Sequence, residues 1–215
     1  MIIEGCEFPD DLYYDIENDI WVSVIDDKLY RVGLTLPFFY KVGKPTRIKP
    51  RPANTVVNRG SSLATIETPI YVGAVYSPLN GKINRTNSTI DITKDPYGSG
   101  WIVELQSSEQ PNSAGLLQGE EARAKYEEKL KRERIVCFKT FPEHRLTALA
   151  ETCEQILTTV GDYFFKNVNR GETLYVITQE PATEVDMIKW AEDMKQELLE
   201  IRRQDKLIHV LYRRV

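Results

Sequence analysis

This 215-residue chain has three cysteines and two histidines to offer thiol or imidazole chemistry. Cys6, Cys137 and Cys153 show no CxxC spacing and are odd in number, which supports neither a zinc site nor a disulfide framework. Cys153 falls on the stripe Leu146, Leu149, Cys153, Ile156, Leu157, Val160, a helical spacing that predicts a buried core thiol. His144 and His209 lie far apart in different predicted elements and make no metal or acid–base pair. An amine acylated by a carrier cofactor has to stand at the tip of an exposed turn. The apolar hairpin SSLATIETPIYVGAVYSPLNG (61–81) has Thr68, Pro69, Ile70 and Tyr71 at its tip, with no amine among them. Lys82 lies just past the Asn80–Gly81 turn and Lys94 precedes DPYG, so neither is at the tip. No Ser-His-Asp set, paired-carboxylate motif, Walker loop or dinucleotide fingerprint occurs, and no enzyme is expected.

The elements that position these residues change character along the chain. DIWVSVID and KLYRVGLT flank a DDK turn, and TRIKPR, SLATIET, YVGAVYSP, GKINRTN and GWIVELQ follow between Gly, Pro and Asn breaks. Many short alternating strands predict a small barrel or sandwich, with Pro37–Phe39 in a short helix or loop. The Asn80–Gly81 step predicts a type I′ turn with positive φ at Gly81, and Trp101 is expected in the core. GEEARAKYEEKLKRERI predicts a charged helix whose narrow apolar face is Ala122, Tyr126 and Leu130. From Arg134 the period shifts. RIVCFKTF reads as a buried strand and Pro142 as the first turn of a helix running to about Lys166. ETLYVIT is the next strand, and Thr183 with Asp186 caps a helix carrying Val185, Ile188, Trp190, Met194 and Leu198. LLEIRR and KLIHVLYRR close a hairpin around Gln204–Asp205. The order β-α-β-α-β-β predicts a two-layer sandwich, with helices on one face of a mixed sheet. The expected division is a first domain at 1–118, a helical linker at 119–133 and a second domain at 134–215.

Hydrophobic content of 41% and charge of 28% are ordinary globular values. Mean hydropathy is −0.38 and no apolar run nears the length of a membrane span. The acidic start MIIEGCEFPDDLYYD lacks the form of a secretory signal, so a cytoplasmic protein is expected. A net charge of −4 argues against a nucleic-acid partner. KLKRER (129–134), beside EEARAKYEE, reads as a solvated helix face.

EGCEFPDDLYYDIENDIWV, KDPYGSGW (94–101) and VYSPLNGKI (75–83) resemble the H protein of the glycine cleavage system and its relatives in sulfur-metabolising prokaryotes. The resemblance covers residues 1–106 and implies an all-β barrel-sandwich hybrid of the lipoyl/biotinyl type, with a lipoyl lysine on a hairpin tip. Aligned through Glu67 and Val75–Pro78, that lysine's position is Ile70, with Glu67, Pro69 and Tyr71 as hairpin neighbours; Asp19 stands where the family has a histidine. Residues 134–215 are similar to TusA-type sulfur-carrier domains through GETLYVITQEPATEVDMIKWAEDMKQELLEIRRQDKLIHVLYRRV, at Gly171, Val176, Asp186, Trp190 and Glu197–Leu199. That family's sulfur carrier is a Cys directly before a Pro at the start of the first helix. Phe141 stands before Pro142 here, and Lys195 replaces a glycine ahead of the final hairpin.

The expectation is therefore a non-lipoylated, non-catalytic binding or adaptor module without a cofactor, whose partners are lipoyl- or sulfur-transfer enzymes. One alternative is a persulfide carrier using Cys137 as the candidate thiol. Another is a carrier component of glycine cleavage itself, which would need a swinging arm.

Overall fold

The computed structural model describes residues 1–87, 92–150, 152–179 and 181–215, which divide into two compact units, Met1–Ile135 and Val136–Val215. In the first, β1 (Ile2–Ile3) pairs with β2 (Cys6–Glu7), followed by β3 (Tyr13–Asp15), β4 (Ile20–Asp26), β5 (Leu29–Leu34) and the short helix α1 (Leu36–Val42). Then come β6 (Arg47–Pro50), β7 (Val56–Val57), β8 (Ser62–Thr68), β9 (Tyr71–Tyr76), β10 (Gly81–Thr86), β11 (Trp101–Gln106) and helix α2 (Gly119–Glu133). A six-stranded sheet runs β3-β4-β5-β11-β10-β7, and a three-stranded sheet runs β6-β8-β9. The strands bury Trp21, Tyr30, Val32, Leu63, Ile66 and Leu105, each at most 1% exposed.

Two expectations in this unit are corrected. Gly81 has no positive φ; it is the first residue of β10, where a Cβ would lie 2.4 Å from the Gln106 carbonyl oxygen. Glycine is required there by close backbone approach, not by turn handedness. Trp101 is only half-buried, and its cover comes in part from the guanidinium groups of Arg31 and Arg85, which lie over its ring at 5.2 and 5.0 Å. Glu104 accepts from both arginines, at 3.2 and 2.8 Å. Burial alone would raise this carboxyl; the two guanidiniums outweigh it and hold it below the ordinary value.

Helix α2 groups with the first unit instead of standing free as a linker. Its stripe Ala122, Tyr126, Leu130 is fully buried, and Tyr126 packs on Phe8 and Tyr14 at ring distances of 4.2 and 5.6 Å. Lys129 is drawn in with them. Its ammonium donates to the carbonyls of Ile16 and Glu17 and pairs with the buried Asp19 carboxylate at 2.9 Å. Asp19 also pairs with Lys41 and has φ 54°. A buried cation is tolerated only when paired and hydrogen-bonded, and this one satisfies both conditions.

The second unit contains β12 (His144–Thr147), α3 (Cys153–Asn167), β13 (Thr173–Gln179), α4 (Glu184–Asp193), β14 (Glu197–Gln204) and β15 (Leu207–Arg213). Its mixed sheet runs β12-β13-β15-β14, with β12 parallel to β13. The β-α-β-α-β-β order holds, but its first strand and first helix are displaced from the predicted positions. Residues 135–143 form no strand; the strand is His144–Thr147, paired His144↔Leu174 through Thr147↔Ile177. Pro142 starts no helix. The helix starts after Thr152, whose side chain accepts from Gln155 N–H while Gln155 reaches back to the Thr152 N–H. This reciprocal cap satisfies two orphan donors at once, which a proline cannot do.

The core of this unit joins Ile156, Val160 and Phe164 of α3 to Met187 and Trp190 of α4 and to the sheet. Phe164 meets Trp190 and Tyr212 edge-on at 5.6 and 6.3 Å. Two expected stripe members fall outside that core: Leu149 precedes the helix and is exposed, and Cys153 is half-exposed. On α4 the buried residues are Met187, Trp190 and Ala191, while Val185, Ile188 and Met194 face solvent and Leu198 belongs to β14.

Candidate functional site

The β8–β9 hairpin turns through Pro69 and Ile70, as the sequence predicts. Its register runs Ile66↔Gly73, Glu67↔Val72 and Thr68↔Tyr71, so the two-residue tip projects beyond the last pair. Two contacts fix its root. Thr68 Oγ donates to the Val42 carbonyl at 2.5 Å, and the Tyr71 ring meets Phe38 edge-on at 6.0 Å. The Tyr71 hydroxyl end lies over Gly73, where a Cβ would stand 2.0 Å away. Ile70 at the tip and Val72, opposite Glu67 in the sheet, are each 75% exposed. Glu67 is half-buried and lies 3.7 Å from Arg47. Ile70 thus stands at the tip, and its butyl group has no atom that can be acylated. Lys82 sits on β10 opposite Gln106, and Lys94 lies in the loop leading to Asp95. Neither belongs to the tip.

The loop 94–101 is a support, not a reactive site. The Asp95 carboxylate accepts from Ser99 N–H at 2.7 Å and Gly98 N–H at 3.0 Å. These bonds, Ser99 first, hold its pKa below the usual carboxylate range. The Trp21 indole N–H donates to the carbonyls of Leu34 and Pro96, at 3.1 and 3.0 Å, and ties this loop to the six-stranded sheet.

In the second unit, the thiol that sequence reasoning favoured is not the one that is free. Cys137 is fully buried outside any strand and is not a free thiol; Cys6 is likewise buried and not free. Cys153 is the free cysteine among the described residues. It stands at the first position of α3 and shares a groove with the Asp186 carboxylate in the first turn of α4. Burial, then the Asp186 charge, raise the Cys153 pKa. Hydrogen bonds from Thr183 keep Asp186 itself low. The Asp186 charge thus disfavours the Cys153 thiolate. The pair lies at one end of this open groove of about 1210 Å³, floored by Leu157, Phe165, Trp190 and Met194. The signal for this site was present in Thr152-Cys153-Glu154-Gln155, a capping-box pattern that the more conspicuous Pro142 masked.

The histidines stay apart. His144 contacts Glu172 at 2.9 Å, and fully buried His209 meets the Tyr175 hydroxyl through Nδ1 at 2.6 Å. Among the described residues no three His, Cys, Asp or Glu side chains converge as a metal-ligand set. No helix among them is long and apolar enough to cross a membrane. Lys195, where the resemblance expected glycine, has φ 54°, keeping the left-handed conformation without the glycine.

A two-sheet β unit with a rooted, projecting hairpin defines a carrier-type scaffold, and the comparison with protein families agrees. The family described as Glycine cleavage H-protein matches residues 12–129, more than half of the chain, and the chain belongs to it. Glycine cleavage system H protein 2 of Aquifex aeolicus is 34% identical over 62% of this chain and 86% of its own length. A probable glycine cleavage system H protein 2 of Sulfolobus acidocaldarius is 32% identical over 64% of this chain and 97% of its own. A crystal structure of a glycine cleavage system H protein from Mycobacterium marinum, 24% identical, covers 55% of this chain and 98% of that one with TM-score 0.49. The family match ends within α2, so the second unit lies outside it.

Proposed function

We propose that this chain is a non-lipoylated member of the H-protein family that works as an adaptor, using the hairpin tip to contact lipoyl- or sulfur-transfer partners instead of carrying an acyl group. The observation behind this is the tip itself. The hairpin holds Pro69–Ile70 out from the sheet, and Ile70 there and Val72 on the adjoining strand are apolar and three-quarters exposed. Exposed apolar clusters of this kind mark contact surfaces. A carrier role in glycine cleavage, which the relatives' names invite, needs an amine at that place and finds none. The intact mass of the protein purified from its native host tests the proposal. The unmodified mass is expected; the increment of a lipoyl amide on any lysine of the first unit would refute it.

A second reading rests on Cys153. The TusA-type resemblance puts a sulfur-carrying Cys at the start of the first helix, and the free thiol at the start of α3 is Cys153. It is followed by Glu154 where that family has proline. In this reading Asp186 takes the proton, the Cys153 thiolate attacks the outer sulfur of a donor persulfide, and the donor leaves as its own thiolate. Incubation with a persulfide donor should add one sulfur atom to the wild type and none to Cys153→Ser. Equal uptake by both, or none by either, would remove this reading.

A further inference from the structure

The outer face of the β6-β8-β9 sheet carries a charge opposite in sign to that of the whole chain. Residues 41–85 hold eight Lys and Arg against a single acid, Glu67, while the chain's net charge is −4. The register brings part of this surplus onto one surface. Arg47, Glu67 and Val72 form one cross-strand row, and Lys49, Thr65 and Ala74 form the next. Directly opposed residues share a face of the sheet. Arg51 continues the alternation, and its N–H donates to Leu63 O. Arg47, Lys49, Arg51 and Thr65 are exposed, as are Val72 and Tyr76 on β9, which has a strand neighbour on one side only. Lys49 and Arg51 make no ion pair among the described residues, and Arg47 reaches Glu67 only at 3.7 Å. The surface is therefore a column of cations on β6 and a column of apolar side chains on β9, separated by Thr65 and Glu67 of β8, with the exposed Ile70 at the hairpin tip.

From this we infer that the face docks an acidic protein surface with an apolar recess, the recess taking the hairpin tip and the acids pairing with Arg47, Lys49 and Arg51. The inference rests on the adaptor proposal and supplies the chemistry of the partner. Rim charges of this kind steer encounter and set specificity, and their effect weakens with salt.

The test uses the isotope-labelled full chain and two probes: a synthetic peptide of repeated Glu-Glu-Leu, and a DNA duplex of matched charge. The peptide is expected to shift amide resonances of residues 47–51, 65–67 and 70–76. The double variant Lys49→Glu/Arg51→Glu should weaken binding about ten-fold, and Ile70→Ser about three-fold. Lys125→Glu/Arg132→Glu, the same charge change on α2, should leave affinity within about two-fold. Equal weakening by both double variants, shifts mapping elsewhere, or tighter binding of the duplex to this face would overturn the inference. The shift map of the wild type decides the matter even if a variant fails to fold. Lipoylated protein that still binds the peptide here would remove the adaptor proposal alone; unmodified protein that binds nothing here would remove this inference alone.

Discussion

The tip of the β8–β9 hairpin and the start of α3 are opposite cases. At the first, the hairpin projects an exposed side chain, and that residue, Ile70, is chemically inert. At the second, a free thiol occupies the first turn of a capped helix, and its surroundings hold it protonated. The contrast teaches that a supporting frame and the reactive atom it supports are separable. The frame is encoded by many residues, the chemistry by one.

The sharpest way to break the contrast is to damage each place and compare stability. Phe164→Ala in the α3 core removes a ring packed on Trp190 and Tyr212 and should destabilise the second unit by about 3–5 kcal/mol. Ile70→Ala should change stability by no more than about 0.5 kcal/mol. Amide-exchange protection in β13 and in β8 reads the two effects separately; a large loss at Ile70 would mean that the tip is structural.

Acid should also distinguish the units. Burial, then the Arg145 charge, push His209 down from 6.5 to about 4. The unfolded chain binds the extra proton between those values, so stability of the second unit falls as pH drops from about 6.5 to about 4. The full loss is about 3 kcal/mol. His209→Asn should flatten that slope in urea titrations across pH. An unchanged slope would assign the acid sensitivity elsewhere.

The caps come next. Thr183→Ala and Thr152→Ala should each remove about 1 kcal/mol from the second unit, measured by urea denaturation. Smallest is the effect on the thiol. Asp186→Asn removes a charge that raises the Cys153 pKa, so alkylation of Cys153 at neutral pH should speed up about three-fold. Slower alkylation would show that the carboxylate activates the thiol.

Much of the frame could be read from residue pattern. Apart from β7, the strands from Ile20 to Gln106, the capped helix after Thr183 and the final hairpin lie where turn residues and strand-forming runs put them, and the helix-or-loop at Pro37–Phe39 is a helix. The failures share a physical cause. Around Pro142 a strong local preference competed with a tertiary one: β12 is held by pairing with β13, far along the chain, which local pattern cannot express. Lys129 and Asp19 form a buried ion pair that depends on α2 packing against the first unit, and charge on a helix reads as solvent-facing until that packing is known. Trp101 looked like core because large aromatics usually are, yet two arginines shield it at the surface. Of the candidate sites, the hairpin tip was legible because a two-residue turn is local. The Cys153–Asp186 pair was not, since it joins the first turns of two helices.

The central claim is that the first unit presents its hairpin without an acceptor. It is tested most directly by offering wild type and Ile70→Lys to a lipoyl-transferring ligase with activated lipoate and weighing both products. The wild type should stay at its unmodified mass while Ile70→Lys gains one lipoyl amide, mapped by peptide fragmentation to residue 70. A lipoyl adduct on the wild type, at Lys82, Lys94 or any other lysine, would contradict the claim.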